Sequence, residues 1–358
     1  MPTGKKLFKH HKLIFKYRVH KILHWEYWPQ WLLYLPVLPV YVYYACRARH
    51  LYFNVPANPG LENGGYLMES KSRLHSQLPR HIQPASILAD TADSVEDIQA
   101  QMQIQAIEFP CICKPDIGAR GLGVAVVSNL DELKDYHQHS PGNYLLQQKL
   151  NCKYEVGIFY YRYPGQQQGC ISGIVEKQPM VVTGNGTATL RELIMDNPRY
   201  YYQRHFLYRK FKTKLDDVLP KGKTLELSGI GNHARGSLFK DVSFKKTKNL
   251  ENTIHAIATS LNGFYFGRLD IMYNDWEALC EGREFYLIEL NGSGSEPTHI
   301  YDPQYSLLQA WKIIIQHWAI MYRISRYNMQ YGATVMSYKK VRQLQQQWSS
   351  LEKKLVAL

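Results

Sequence analysis

The sequence predicts an α+β fold with two or three subdomains. The chain has 358 residues, and 45% of them are hydrophobic, which is enough to bury more than one small core. Residues 267–274 and 283–293 alternate apolar and polar side chains, as half-buried strands do. Residues 93–107 and 305–326 instead carry apolar side chains at helical spacing. Strands and helices are therefore both expected in this chain. Their amphipathic patterns predict that each packs one face on a hydrophobic core.

The positive charge is concentrated at the N-terminal end. The formal net charge is +13, and residues 1–50 hold nine Lys or Arg against the single acid Glu26, so they carry 9 − 1 = +8. The other 308 residues carry 13 − 8 = +5. A basic end beside an apolar run favours an anionic membrane surface as partner over a nucleic-acid groove.

Residues 27–46 form an uncharged, aromatic-rich segment that is long enough to cross a bilayer. Pro29, Pro36 and Pro39 disfavour one straight helix, and basic residues lie on both sides. We expect a re-entrant or interfacial anchor on the cytoplasmic side of a membrane. The alternative is a soluble strand and helix that complete a short N-terminal subdomain.

Six cysteines without a CxxC pair form no disulfide or zinc framework, which agrees with a reducing cytoplasm. Cys111 and Cys113 would share one face of a strand, where small buried side chains are the usual interpretation. Redox chemistry is the alternative for this pair.

A glycine-rich loop at 115–127 directly follows the strand-like run 109–114. Its glycines, Gly118, Gly121 and Gly123, permit close backbone approach, so that N–H groups could cradle phosphates, and Lys114 supplies a positive charge. Such a loop is also what a tight β-hairpin between 109–114 and 123–127 would need.

Two strands and a connector follow at 143–162, and a further strand at 171–179. The backbone of residues 147–150 could offer donors and acceptors to a planar base. Glu155 could reach a ribose hydroxyl or an amine. Lys177 is a charged residue in an apolar strand, although a lone lysine at a strand end is usually solvated.

Three oxygen-bearing side chains gather on one face of a predicted hairpin. With a period of two, Arg268 and Asp270 point to the same side of the first strand, and Glu289 and Asn291 to one side of the second. Clustered carboxylates repel unless a cation lies between them, and Mg²⁺ prefers such oxygen ligands. The face therefore predicts a metal site, with a solvated strand surface as the alternative.

The ordered set KPDIGARGLGV, LLQQKL, Glu155, Lys177, RLDIMY and IELNGSGSEP resembles the ATP-grasp superfamily, in particular the D-alanine–D-alanine ligase, glutathione synthetase and cyanophycin synthetase group. The resemblance covers about residues 66–303. It implies an ATP-grasp fold, in which two α+β subdomains clamp ATP. Here that fold would follow a short pre-grasp region and the hydrophobic, basic N-terminal anchor.

The resemblance also implies roles for individual residues. ATP would be bound by Lys71, Lys114, Gly118, Arg120, Gly121, Gly123, Gln147, Gln148, Lys149, Leu150, Glu155 and Lys177. Lys71 matches a family phosphate lysine only loosely. Mg²⁺ or Mn²⁺ would be held by Asp270, Glu289 and Asn291. The segment 229–237 looks like the family's loop near the transferred phosphate, so Asn232, His233 and Arg235, with Arg268, would act in catalysis. A solvated loop histidine is the alternative for His233.

The implied reaction is the ADP-forming ligation of a carboxylate to an amine or another nucleophile through an acyl phosphate. A lipid-linked substrate would suit the anchor. Residues 51–92 are short compared with the family's usual N-terminal domain. Glu296 and His299 follow Asn291 and are not required in the peptide ligases.

The predicted segments are an anchor at 1–50, a pre-grasp region at 51–92, two ATP-grasp subdomains at 93–180 and 181–330, and an amphipathic helix at 331–358. Apolar residues at alternating steps of three and four give that helix a short heptad seam, suited to its own chain or to a homodimer. Two other functions stay open: a non-catalytic ATP sensor, and a basic membrane or nucleic-acid adaptor. Intact Lys114 and metal residues disfavour the sensor, and the separation of the basic end from the grasp residues disfavours the adaptor.

Overall fold

The structure, a computed structural model, describes residues 4–228 and 236–358. Its strands are β1 (Ser86–Ala89), β2 (Cys111–Pro115), β3 (Ala125–Val127), β4 (Tyr144–Gln148), β5 (Tyr154–Tyr161), β6 (Cys170–Gln178), β7 (Met180–Thr183), β8 (Thr224–Ser228), β9 (Leu238–Asp241), β10 (Phe266–Tyr273) and β11 (Phe285–Asn291). The predicted strands at 109–114, 143–162, 171–179, 267–274 and 283–293 all occur, with shifted ends.

The α-helices are α1 (Gly4–Leu23), α2 (Gln30–Tyr34), α3 (Leu38–Ala48), α4 (Lys71–Gln77), α5 (Val95–Ile104), α6 (Leu130–His139), α7 (Leu190–Asp196), α8 (Pro198–Tyr202), α9 (Arg204–Lys210), α10 (Lys248–Ser260), α11 (Trp276–Cys280), α12 (Leu307–Gln330) and α13 (Tyr338–Ala357). Local sequence explains several starts. The Ser94 side chain caps α5 by accepting from the backbone N–H of Asp97, and Thr189 forms a capping box with Glu192 at α7.

Contacts divide the chain into two compact units. The larger unit comprises residues 40–176, 241–299 and 313–358, and the smaller unit comprises residues 1–39, 177–240 and 300–312. Each unit is built from separate stretches of the sequence, whereas each predicted segment is one continuous stretch. That segmentation stays a prediction.

The larger unit contains two antiparallel sheets. One has the strand order β1-β4-β2-β3, and four strands of the other follow the order β11-β10-β5-β6. Cys111 and Cys113 are fully buried in the first sheet, as a packing role predicts. The α+β fold class with antiparallel sheets is confirmed.

The connection between β10 and β11 differs from the predicted hairpin turn. The two strands are paired antiparallel, but the short helix α11 lies between them, and the Asp275 side chain caps its start. The turn-like composition of residues 274–284 therefore encodes a capped helix with a positive-φ exit at Gly282 rather than a tight turn.

The smaller unit packs its helices on a two-stranded β7–β8 sheet. The N-terminal helix α1 is held here, because the buried Tyr17 hydroxyl donates to the Met195 carbonyl over 2.7 Å. Glu26 and Arg199 form a buried ion pair. The helix is thus anchored to protein on one side, while Phe15, Ile22 and Leu23 on it are exposed.

Residues 27–46 form short helices with no strand. Leu33, Val37 and Ala45 are buried, whereas Trp31 is 66% exposed and Leu35 is 55% exposed. Among the described residues, no helix is both long enough and apolar enough to span a membrane. The segment thus has one face against protein and one apolar face outward.

The terminal helix α13 packs on its own chain. Val341, Leu344 and Leu355 of the predicted seam are buried, and the Leu355 side chain lies against Gly123 of the glycine loop. The exposed Leu358 ends the seam. Intramolecular docking accounts for the buried seam positions, and the homodimer stays an untested prediction.

Candidate active site

The candidate site is a group of charged side chains in the larger unit, at the junction of the glycine loop, β2, β10 and β11. We call it the charged cluster and define it as Lys71, Lys114, Arg268, Asp270 and Glu289. Each was predicted from the sequence as a site residue, Lys71 only weakly. Glu289 lies within electrostatic range of Lys71, Lys114 and Arg268, and Arg268 in turn pairs with Asp270.

The strand register explains why the acidic residues meet. Asp270 pairs with Glu289 across β10 and β11, and Arg268 pairs with Asn291. Directly opposed residues of an antiparallel pair point to the same face, so the four side chains share one side of the sheet. The predicted face is therefore confirmed.

Arg268 compensates the charge of the buried Asp270. Its Nε lies 2.9 Å from one carboxylate oxygen and its Nη2 lies 3.0 Å from the other. Burial lowers the pKa of Arg268, but Asp270, Glu289 and Glu296 outweigh that effect and raise it overall. The Asn291 amide also donates to Asp270, over 3.5 Å.

This arrangement bears on the predicted metal set. Two carboxylates and an amide oxygen on one face are the donor types that Mg²⁺ takes. Asp270, however, already holds a bidentate arginine, and within residues 4–228 and 236–358 no group of three or more His, Cys, Asp or Glu is arranged for a metal ion. Glu289 and Asn291 fit a metal in kind, and Asp270 would share its remaining lone pairs between the metal and Arg268.

Lys114 is buried at the end of β2 and oriented by two acceptors. Its Nζ lies 3.0 Å from the Gln147 side-chain oxygen and 3.4 Å from the Ile288 carbonyl. Burial lowers its pKa to about 8, with Lys71 contributing in the same sense and Glu289 opposing. Near neutral pH the ammonium is thus charged but poorly compensated, which suits attraction of an anion.

Gln147 carries a buried donor that points to a bound group. Its Nε2 atom has no hydrogen-bond partner within the described part of the chain, while its oxygen accepts from Lys114. A buried amide donor is costly when unsatisfied, so a polar acceptor is expected beside it. A polar group is therefore expected at the end of β4, beside residues 147–150, whose backbone contact with a planar base stays a prediction. Gln148 and Lys149 are exposed, and Leu150 is half-buried.

Lys71 has a different environment from Lys114. Its ammonium donates to three backbone carbonyls of the glycine loop, those of Pro115, Asp116 and Gly118, over 2.9–3.3 Å. Burial lowers its pKa, and Glu289 opposes that shift. The contacts place Lys71 as a support of the loop.

The glycine loop turns in the left-handed region at Arg120, Gly121 and Gly123. A side chain at Gly123 would also meet the Pro115 ring at 2.7 Å and Leu355 at 3.0 Å, whereas Gly118 has ordinary space. Arg120 is exposed at the tip. The hairpin alternative is realised too, because β2 and β3 are paired on either side of the loop. Hairpin and phosphate loop are therefore compatible descriptions of this segment.

The remaining predicted residues are Glu155, Lys177 and those of the segment 229–237. Glu155 faces Met272 across β5 and β10, on the Asp270 face, where a side chain in place of Gly157 would come within 2.9 Å of the Asp270 carboxylate. Lys177 is buried in β6 and belongs to the smaller unit. Asn232, His233 and Arg235 lie outside the described residues.

Sequence reasoning missed two acids beside the cluster. Glu69 is largely enclosed, and burial followed by Glu289 raises its pKa to about 8. Asp116 accepts from the Ser72 backbone over 2.7 Å and from the Ser70 hydroxyl over 2.8 Å, which ties the start of α4 to the loop. Glu69 lies two residues before Lys71 in the sequence, outside the strand-like runs from which the other acidic site residues were predicted.

No protein-family profile matches this chain, and no curated protein matches it. Solved structures do resemble it. They include a bifunctional glutathione synthetase from Pasteurella multocida (14% identity, TM-score 0.37), the VanG D-Ala:D-Ser ligase from Enterococcus faecalis (15%, 0.40) and the D-alanine–D-alanine ligase from Bacillus anthracis (13%, 0.37).

All three are named as ligases or a synthetase. The similar region covers 69%, 72% and 73% of this chain, but only 35%, 64% and 66% of the respective solved chains. This chain thus spans about a third of the first protein and just under two thirds of the other two. At TM-scores of 0.37–0.40, the likeness carries no argument about activity or residue roles.

Proposed function

We propose that this chain is an ATP- and Mg²⁺-dependent ligase that activates a carboxylate as an acyl phosphate and joins it to an amine, releasing ADP. The observation that carries the proposal is the charged cluster. A buried lysine with a lowered pKa and an orphaned amide donor lie at the start of the glycine loop, and Glu289 links that lysine electrostatically to a buried arginine–aspartate pair. Such a site favours a polyphosphate over a neutral ligand.

The proposed chemistry has two steps. A carboxylate oxygen of the substrate attacks the γ-phosphorus, and the bond to the bridging oxygen breaks to release ADP. The amine nitrogen then attacks the acyl carbon, loses a proton, and inorganic phosphate leaves. The divalent ion supplies charge neutralisation between the phosphates when it is bound. No side-chain nucleophile is needed.

The chain's own residues take separate roles in this proposal. Lys114 attracts the phosphates, and Gln147 orients it. Lys71 holds the glycine loop closed over them through three carbonyls. Arg268 lies on the sheet face where phosphoryl charge develops, held in place by Asp270. Glu289 and Asn291 are the residues of the set best able to take the metal.

ATP binding by the full chain, measured by calorimetry with Mg²⁺, tests the role of Lys114. Lys114→Met is expected to weaken binding by about 100-fold, since it removes a charge-assisted contact in an enclosed site. Lys134→Met, at an exposed position of α6, is the matched control and should bind as the parent does. Equal affinity of all three proteins would reject the site.

Substrate-dependent ADP release distinguishes the ligase from the non-catalytic sensor. We expect pools of amino acids and lipid extracts to stimulate ADP formation, and Asp270→Asn/Glu289→Gln to abolish it. Tight ATP binding without turnover in any pool would favour the sensor.

We also propose that the smaller unit binds an anionic membrane surface, which would bring the enzyme to a lipid-linked substrate. Phe15, Ile22 and Leu23 are exposed on α1, and Trp31 on α2, beside the exposed Arg18 and Lys21. Apolar and basic side chains together are the pattern that anionic interfaces attract. Because one face of these helices is packed on protein, surface binding needs no span.

Sedimentation with vesicles tests this surface. The full chain should pellet with vesicles that contain phosphatidylglycerol and stay in solution with phosphatidylcholine alone. Phe15→Ser/Ile22→Ser should lose most of that binding, while Phe244→Ser, an exposed phenylalanine elsewhere, should keep it. Retained binding in the first variant would exclude this surface.

A further inference from the structure

A second site lies in the larger unit, where α12 faces β5 and β6. It is a cavity of about 420 Å³, within the size range of small-molecule sites. Tyr161, Tyr163 and Ser172 contribute from the sheet side, and one face of α12 contributes the other wall, including His317 and Arg323. None of these five residues belongs to the ATP site described above.

A hydrogen bond fixes one ring proton of His317. Its Nδ1 lies 2.8 Å from the Ile313 carbonyl, which can only accept, so Nδ1 carries a proton. Its Nε2 lies 2.9 Å from the Ser172 hydroxyl, which also lies 3.4 Å from the Phe159 carbonyl. Burial lowers the pKa of His317 to about 4. The imidazole therefore adds polarity to the wall but no charge near neutral pH.

His299 forms the floor beside it. The ring lies over Gly173, where a side chain would overlap its Nδ1 atom, so only glycine accommodates this placement. Burial lowers the pKa of His299 to about 4, and Asp241 opposes the shift. Of the described residues that line the cavity, only Arg323 carries a charge, and none is acidic.

The α12 wall combines three aliphatic side chains with the polar Gln316. Ile313, Ala319 and Ile320 of α12 face the tyrosine rings across the cavity. Arg323 is exposed, so its guanidinium lies where ligand and solvent meet. A single cation at the opening of a cavity with an aliphatic patch favours an anion with an apolar body, because a cationic ligand would find no acidic partner on the wall.

The cavity adjoins the charged cluster along one sheet face. The Phe159 ring packs edge-on against His317 with 4.8 Å between centroids, and Phe159 pairs with Arg268 in the β5–β10 register. Gly173, which lies under His299, pairs with Phe159, so two strand spacings separate the cavity's floor from the arginine of the ATP site. A substrate held here would lie about 10 Å from that arginine, on the same side of the sheet.

We propose that this cavity binds the organic substrate of the enzyme, a small carboxylate with an apolar body, with Arg323 as the partner of an anionic group. The substrate class rests on the proposed function, whereas the binding site itself does not. Polyamines are disfavoured, because no acidic side chain lines the described cavity.

Equilibrium binding without ATP tests the site directly. The probes are 4-methylpentanoate and its neutral isostere 4-methylpentanamide, followed by ligand-observed NMR with the full chain. We expect the carboxylate to bind at millimolar concentration and the amide about tenfold more weakly. Arg323→Gln should remove that difference, and Ala319→Phe should block both probes by filling the cavity.

Arg342→Gln, which removes an exposed arginine from α13, is the control and should bind as the parent does. Unchanged melting temperatures would show that the variants are folded. Equal binding of both probes, binding that survives both cavity variants, or no binding of the carboxylate would each overturn the proposal. ATP binding is measured on the same proteins. If the carboxylate probe fails to bind while ATP turnover is intact, the cavity proposal is rejected and the ligase proposal stands. If the probe binds as predicted but ATP is not turned over, the ligase proposal is rejected and the binding site stands.

Discussion

The charged cluster and the cavity beside α12 are neighbours in the same unit, yet they handle buried polarity in opposite ways. The cluster gathers side chains of opposite charge and pairs two of them directly, Arg268 with Asp270. The cavity keeps His299 and His317 neutral through burial and tautomer-fixing contacts. The difference indicates one place suited to phosphates and another suited to an organic molecule.

Breaking the compensated pair should have the largest effect on folding. Arg268→Gln would leave the Asp270 carboxylate buried without a cation, and we expect a loss of about 3–5 kcal/mol of unfolding free energy. Denaturant titration measures this loss. Arg191→Gln breaks an exposed ion pair with Asp216 and should cost about 1 kcal/mol or less. Similar losses in both variants would contradict the buried, compensated character of the cluster.

Acid should lower the free energy of unfolding mainly by protonating the buried, neutral histidines. The pKa of His317 is lowered in the folded state to about 4 from 6.5, so above pH 6.5 its titration does not change the free energy of unfolding. As the pH falls from 6.5 to 4, the unfolded chain binds a proton that the folded chain does not, and stability is lost. We expect about 3 kcal/mol from this residue by pH 4.

Denaturant titrations at several pH values measure that slope. His317→Gln should flatten it relative to the parent after the loss at pH 7 is subtracted. A slope that stays the same in the variant would show that His317 is protonated in the folded protein.

The floor of the cavity gives the next test. Gly173→Ala places a side chain on His299, and we expect a loss of about 1–3 kcal/mol together with weaker probe binding. Gly142→Ala meets nothing within 4 Å and should be neutral or slightly stabilising. Thermal unfolding of the two variants compares them. Equal melting temperatures would mean that His299 moves freely away from the sheet.

The smallest expected effect concerns the glycine loop. Gly123→Ala forces a left-handed residue against Pro115 and Leu355, and should weaken ATP binding by about tenfold through a displaced loop. Gly118→Ala has ordinary space and should bind nearly as the parent does. Loss of binding in Gly118→Ala alone would indicate that the backbone at Gly118, not the bend at Gly123, approaches the phosphate.

Local patterns predicted much of this molecule. The alternation in β10 and β11 placed Asp270, Glu289 and Asn291 on one face, because a period of two is a property of every strand. The helical connection between those strands was missed, since a five-residue helix leaves no periodic signal. Sequence order also could not reveal units built from separated segments.

The cavity was beyond sequence reasoning for a physical reason. Ser172 and His317 are 145 residues apart, and only packing of α12 brings them within hydrogen-bond distance. His299 drew notice only as a departure from the peptide ligases, with no partner to explain it. In the same way, the three carbonyls that hold Lys71 belong to a loop shape that single residues do not encode.

The most direct test of the central claim is trapping of the acyl phosphate. The full chain is incubated with ATP, Mg²⁺ and candidate carboxylates in the presence of hydroxylamine, and the hydroxamate and ADP are quantified together. We predict hydroxamate and ADP in equal amounts, both lost in Lys114→Met and retained in Lys134→Met. ADP formed from bound ATP without hydroxamate from any carboxylate would contradict the ligase mechanism.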